Sequence, residues 1–158
     1  MKFIAYTDGS YDMNDLVGSS AVVILNAKHE VIYTWAKARK CKYNPEKLQR
    51  TNEQELGAII RAIMSVPDGS FVEIYSDSQY AVNVLSGMWD AKANLDLIEI
   101  YMKEKERRHI ISTLIWVKGH NGDKYNEMAD ELCAKVADSF RNGESAIIES
   151  KNICYEVD

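Results

Sequence analysis

The sequence predicts an α/β fold: a mixed five-stranded sheet, three strands antiparallel and two more parallel, with helices on both faces. Three observations carry this. Three β-forming apolar runs follow one another near the amino end with short links between them. Two later β-like runs are each reached through helical segments, as in parallel crossover connections. The length of 158 residues, 46% of them hydrophobic, fits one domain with a substantial core. That apolar fraction excludes intrinsic disorder, and 2 prolines with 8 glycines exclude a collagen-like or low-complexity chain.

Taken in order, Phe3-Ile4-Ala5-Tyr6-Thr7 reads as a first strand ending in the turn Asp8-Gly9-Ser10. Ser20 to Leu25 and Val31 to Ala38 are the second and third strands, joined by residues 26–30 at hairpin-loop length. Leu56, Ile59, Ile60 and Ile63 recur at the helical period, so an amphipathic helix is expected over Thr51 to Val66. Thr51 or Asn52 would cap it, and Pro67-Asp68-Gly69 would end it. Phe71 to Tyr75 is strand four, Gln79 to Leu85 a short helix, Leu95 to His109 a longer one, and Ser112 to Val117 strand five. Met128, Ala129, Leu132, Cys133, Val136 and Phe140 mark a last helix. Residues 1–141 thus form the expected domain, and residues 142–158 a tail. Its two short β-like runs, Ala146 to Ile148 and Ile153 to Val157, fit either an added edge strand or disorder.

The chain carries 19 basic and 24 acidic residues, a net charge of −5, which by itself argues against a nucleic-acid partner. Three cysteines, Cys41, Cys133 and Cys154, form no CxxC pair and point to a reducing, cytoplasmic setting. No signal peptide or membrane span is expected.

Four acids stand at informative places. Asp8 ends strand one and Asp77 ends strand four, so neighbouring strands would project both carboxylates at one edge of the sheet, where open α/β sheets bind ligands. Glu55 lies one residue before the apolar face of the first long helix, and Asp130 near the start of the last helix. Glu53 is the rival to Glu55, but it sits roughly 200° around the helix from it. Acids brought together stay ionised only with cations, and an all-oxygen set suits Mg²⁺ or Mn²⁺. Two such ions about 4 Å apart clamp the attacking and leaving oxygens of a phosphoryl transfer. Each acid taken alone reads better as a cap, a turn residue or solvated surface; for the four together, spacing alone leaves the two readings even.

The strings Thr7-Asp8-Gly9-Ser10, Glu55-Leu56, Ser76-Asp77-Ser78-Gln79-Tyr80, Trp116-Val117-Lys118-Gly119-His120-Asn121-Gly122 and Asp130-Glu131-Leu132 occur in that order. From Lys2 to about Phe140 the chain closely resembles type 1 ribonuclease H. The resemblance implies the ribonuclease H-like fold and an endonuclease that hydrolyses the RNA strand of an RNA–DNA hybrid, leaving 5′-phosphate and 3′-hydroxyl ends. It implies two Mg²⁺ ions held by Asp8, Glu55, Asp77 and Asp130, with Mn²⁺ as a substitute, and a loop histidine, His120, that relays protons or aids product release. The Gly119 and Gly122 flanking His120 fit a flexible loop. A monomer is expected.

The same resemblance suggests substrate contacts. Gly9 and Ser10 would approach the RNA strand, Asn14 the minor groove and Gln79 the RNA side. Asn94, in Asn94-Leu95-Asp96-Leu97, matches a residue that holds a DNA phosphate, though it would equally serve as a helix cap. Thr51 and Asn52 match the family's Thr-Asn pair, but Thr51 lies one residue closer to the catalytic glutamate than the family spacing. Either the loop has a deletion or Arg50 takes over. Trp89 would meet DNA sugars or pack in the core.

Only Met88-Trp89-Asp90-Ala91-Lys92-Ala93 stands where many cellular members carry a basic handle. Residues 26–50, with seven basic and two acidic side chains, form a solvated face or a track for the hybrid backbone. No hybrid-binding domain is expected ahead of strand one. Two other readings remain at this point: a non-catalytic nucleic-acid-binding module on the same fold, and a ribonuclease H domain derived from a reverse transcriptase.

Overall fold

The computed structural model describes residues 1–119 and 121–151. Its elements run β1 (Lys2–Asp12), β2 (Val17–Leu25), β3 (Val31–Lys40), α1 (Lys47–Met64), β4 (Phe71–Ser76), α2 (Gln79–Leu85), α3 (Leu95–Arg107), β5 (Ile111–Trp116), α4 (Lys124–Arg141) and β6 (Ile147–Lys151). The sheet order is β5-β4-β1-β2-β3-β6. β1, β2 and β3 form the expected antiparallel meander, and β4 and β5 join it in parallel.

Six strands replace the expected five. Residues 147–151 of the tail pair antiparallel with β3, Ile147 opposite Lys37 and Lys151 opposite Tyr33. The addition covers a strand edge that would otherwise expose a row of unpaired backbone groups. The second β-like run of the tail, Ile153 to Val157, lies outside the described residues.

Helices α1, α2 and α3 cover one face, and α4 the other. Leu56, Ile59 and Ile63 of α1 pack with Phe3 and Ala5 of β1, Val22 and Ile24 of β2, and Val72 and Ile74 of β4. Cys133 and Val136 of α4 meet Val17, Ala21, Ala36 and Ala38 on the opposite face. The alternation along β1 therefore sends Phe3, Ala5 and Gly9 toward α1, and Ile4, Asp8 and Asp12 toward α4.

Two boundaries differ from expectation in ways that matter for function. β1 does not end at Asp8. Its ladder with β4 stops at Thr7 opposite Ser76, while its ladder with β2 continues to Asp12 opposite Val17. Asp8 therefore sits where the sheet opens on one flank and stays paired on the other. Helix α1 begins at Lys47, a turn earlier than expected, with the extended Glu46 as its first flanking residue. Pro45 restricts the residue before it and favours a helix start just beyond. Neither Thr51 nor Asn52 caps the helix: both lie inside it, and the Thr51 hydroxyl donates to the Lys47 carbonyl at 3.2 Å.

The far end of α1 is closed by a residue that the sequence places only in a charged helix terminus. Arg108 donates to the Ile63 carbonyl at 2.6 Å and also to the Val66 carbonyl, and pairs with Asp68 at 2.7 Å. It thereby satisfies carbonyls that the helix end leaves without partners.

Candidate active site

Three acids from three elements converge where β1 and β4 part. Asp8 comes from β1, Glu55 from α1, and Asp77 from the turn after β4. One carboxylate oxygen of each lies within 4.8 Å of the others. Asp8 and Glu55 are each only 5% exposed, and Asp77 is half-buried.

Close backbone approach makes this convergence possible. A Cβ on Gly9 would stand 2.4 Å from the Glu55 nitrogen and 2.5 Å from the Gln54 carbonyl carbon, so β1 and α1 touch backbone to backbone. Gly9 is thus required for strand–helix contact rather than for a turn. Its N–H also faces the carboxylates of Asp8 and Glu55. Ser20 fixes the same joint by donating to the Gln54 carbonyl at 2.9 Å. Beside it, Arg39 donates to the Gln54 side chain.

Asp77 is placed by its neighbours. Ser76 Oγ accepts the Ser78 N–H at 3.1 Å, and Ser78 caps α2 by accepting the Ala81 N–H at 3.0 Å. Trp116 donates its indole N–H to the Asp77 carbonyl at 3.1 Å. A Cβ on Gly119 would lie 2.8 Å from Asp77 Oδ2. Gly119 therefore lies in close contact with this carboxylate, and Gly122 has the left-handed φ of 78° expected of a turn glycine.

The electrostatics are unfavourable as they stand. Burial, then the negative charges of Asp77 and Asp130, push the Asp8 carboxyl up to about 8. Burial and the charge of Asp8 drive Glu55 well above the carboxylate range. Glu55 Oε2 is buried with no hydrogen-bond partner among the described residues. Buried oxygens pressed together and short of donors match the requirements of a hard divalent cation. The residues present therefore fit such an ion.

Asp130, exposed on α4, lies outside this three-acid group but acts on Asp8 closely enough to raise its carboxyl. Glu53 points elsewhere and is held by Arg50 at 2.6 Å. Arg50 is itself committed, its Nε donating to the Lys42 carbonyl at 2.8 Å. His120 lies outside the described residues.

The expected substrate-contact residues are dispersed around this centre. Ser10 shares a hydrogen bond with Ser19 at 2.8 Å. Asn14 is exposed in the β1–β2 turn, and Gln79 is exposed as the first residue of α2. Thr51 and Asn52 are half-buried on α1. Asn94 precedes α3 in a left-handed conformation with φ 59° and makes no side-chain cap bond; instead its amide donates to the Tyr80 hydroxyl at 3.1 Å. Trp89 is 48% exposed, which removes it from the core.

Sequence reasoning misses the supports: the contact of Gly9 with α1, the Arg39–Gln54 pair, and Cys133, whose thiol lies 3.4 Å from the Asp8 carbonyl. A glycine directly after an acid in a strand is the one available signal for the first. The others depend on which elements stack.

Comparison with known proteins agrees with this geometry. The chain is 31% identical over 150 residues to a ribonuclease H of Anaeromyxobacter dehalogenans, covering 86% of this chain and 80% of that one. It is 33% identical over 140 residues to a ribonuclease H of Hahella chejuensis, covering 80% and 87%. A ribonuclease H of Neorickettsia sennetsu matches at 31% over 165 residues, covering 90% and 97%. The sequence model of the RNase H family matches residues 1–138, the span that carries all four acids and every element from β1 through most of α4, and the chain belongs to that family.

Proposed function

We propose that the protein is an endoribonuclease that hydrolyses the RNA strand of RNA–DNA hybrids by two-metal-ion catalysis, leaving 5′-phosphate and 3′-hydroxyl ends. The observation that carries this reading is the Asp8–Glu55–Asp77 group, with its carboxylates pressed together and a buried Glu55 oxygen that has no hydrogen-bond partner among the described residues. A non-catalytic binding module would gain nothing from anions beside a phosphate backbone, which disfavours that alternative. The family relatives named ribonuclease H support the activity.

Asp8, Glu55, Asp77 and Asp130 would hold two Mg²⁺ ions, with Mn²⁺ serving in their place. When bound, the ions supply an activated water and stabilise the leaving oxygen. The chain's own residues do the rest. Asp8, which lies beside Glu55 and Asp77 and is acted on by Asp130, would be the central ligand among them. The Gly9 N–H orients the Asp8 and Glu55 carboxylates, and Gly119 and Trp116 hold the Asp77 segment. His120 would move protons or release product. Gly9, Ser10, Asn14 and Gln79 would contact the hybrid, with Asn94, Thr51 and Asn52 on the DNA side. An A-like hybrid is read by shape and 2′-hydroxyls in its wide minor groove, a task for short polar side chains and backbone. Among the described residues no helix is long and apolar enough to cross a membrane. The reading places the enzyme in the cytoplasm as a monomer, and the free thiols of Cys41 and Cys133 accord with a reducing compartment.

The test is cleavage of a hybrid labelled on the RNA strand. Wild type with Mg²⁺ is expected to cut the RNA and leave the DNA intact, and both chelator and Asp77→Asn to stop it. An intact hybrid with wild type overturns the activity; continued cutting by the variant overturns the assigned centre.

A further inference from the structure

Four residues beyond Asp8, β1 ends at Asp12 and turns through Met13–Leu16 into β2. The turn carries two carboxylates, and each has a divided task. Asp12 Oδ1 accepts the Asn14 N–H at 2.9 Å, and Asp15 Oδ1 accepts the Val17 N–H, so one oxygen of each shapes the turn. The other oxygen of each goes to a single guanidinium. Arg141, the last residue of α4, donates from Nε to Asp15 Oδ2 at 2.5 Å and from Nη2 to Asp12 Oδ2 at 3.3 Å. Its third arm, Nη1, donates to Asp138 at 3.0 Å on α4 itself. Lys40 adds a bond to the Asp15 carbonyl.

The turn does not hold itself. Leu16 adopts a φ of 63°, the left-handed region that L side chains disfavour. Two carboxylates in a short exposed turn also repel each other and would repel a polyanion. Arg141 eases both problems, offsetting part of the pair's charge and tying the turn to the helix that carries Asp130. The reach is natural: the helical rise from Asp130 to Arg141, about 16 Å, nearly matches the strand rise from Asp8 to Asp12, about 13 Å. Asn14 stands exposed in the turn so fixed.

We propose that Arg141 is a positioning residue for substrate binding: it locks the acidic β1–β2 turn so that Asn14 is presented to the nucleic acid with less repelling charge around it. The inference rests on the hybrid-cleaving reading above.

The test is steady-state cleavage of a hybrid by wild type, Arg141→Gln, Asn14→Ala and the double variant. Arg141→Gln is expected to raise KM about fivefold with kcat within twofold, the size of one lost hydrogen-bonded contact. Because Arg141 acts through the turn, its effect should vanish in the Asn14→Ala background, the double variant lying within twofold of Asn14→Ala. Arg141→Lys, which keeps the charge and one of the bonds, should bring KM back to two- to threefold above wild type. It also replaces Arg141→Gln if that variant does not fold, and then a KM two- to threefold above wild type in the parent background, absent in the Asn14→Ala background, is the supporting result. An unchanged KM, a fall confined to kcat, or an additive double variant overturns the inference. A wild type that leaves the hybrid intact overturns the hybrid-cleaving reading and this one with it, whereas an active wild type with an unaltered Arg141→Gln overturns this one alone.

Discussion

Strand β1 carries two acidic clusters on the same face, and they have opposite chemistry. At its end, Asp12 and Asp15 with Asp138 surround the guanidinium of Arg141, and every carboxylate has a cation in contact. Midway along, Asp8 meets Glu55 and Asp77 deeper in the protein, and the charges that act most on Asp8 and Glu55 are negative. In the first, Arg141 holds Asp15 below its ordinary carboxylate value. In the second, burial and mutual repulsion drive Asp8 up to about 8. A cluster that contains its own cation is part of the architecture. A cluster in which burial and neighbouring acids raise Asp8 and Glu55 is one that, under the proposed function, an ion from solution would complete as the reactive centre.

The comparison breaks most sharply at the incomplete cluster. Asp77→Asn should reduce hybrid cleavage by about a thousandfold or more, the range seen when a principal electrostatic element is removed, measured as single-turnover rate. Gly9→Ala comes next. The clashing atoms are backbone and cannot rotate away, so a loss of about 2–3 kcal/mol in stability is expected from denaturant midpoints.

The third prediction concerns pH. In the ion-free protein Asp8 titrates near 8 rather than at its ordinary 3.8, so between these values the folded state binds more protons than the unfolded one. Stability of the ion-free protein should therefore fall as pH rises from about 4 to about 8. Added Mg²⁺ competes with those protons, so its increment in Tm should be largest at pH 8 and fade toward pH 5. Thermal melts with Mg²⁺ or chelator across that range check the sign; a Tm increment that grows toward low pH would falsify it. By the same logic Asp8→Asn, inactive, should stabilise the ion-free protein at pH 8 by roughly 1–2 kcal/mol, since it removes a buried charge that the others repel.

The smallest effect belongs to the complete cluster. Asp138→Asn weakens only one of the three arms of an exposed ion network, and a stability change of less than about 0.5 kcal/mol is expected from denaturant midpoints. If this variant cost as much as Gly9→Ala, the contrast between the two clusters would be lost.

Much of this architecture is legible in the amino-acid sequence. The apolar period of α1 identifies its buried face, and the register of Glu55 within it separates Glu55 from Glu53, which is turned out to Arg50. The meander and the later parallel strands follow from the lengths of the links, because short links favour antiparallel neighbours and helical links favour crossovers. Other features are not legible, for reasons that can be named. The tail's β-like run has two outcomes until β3 offers it an open edge. Thr51 reads as a cap because caps are read from local chemistry, whereas the helix start is set by Pro45 further upstream. Asn94 reads as a cap for the same reason, yet its amide turns to Tyr80.

The sequence alone determined the acids, their order along the chain and the elements that carry them, because hydrophobic period and turn chemistry are local properties. Tertiary structure decided which charges are neutralised. Whether an aspartate has an arginine or other acids for its nearest charges depends on how α4 lies along β1 and how closely Gly9 lets α1 approach. Coulomb interactions act across space, between residues that the chain separates by more than a hundred positions.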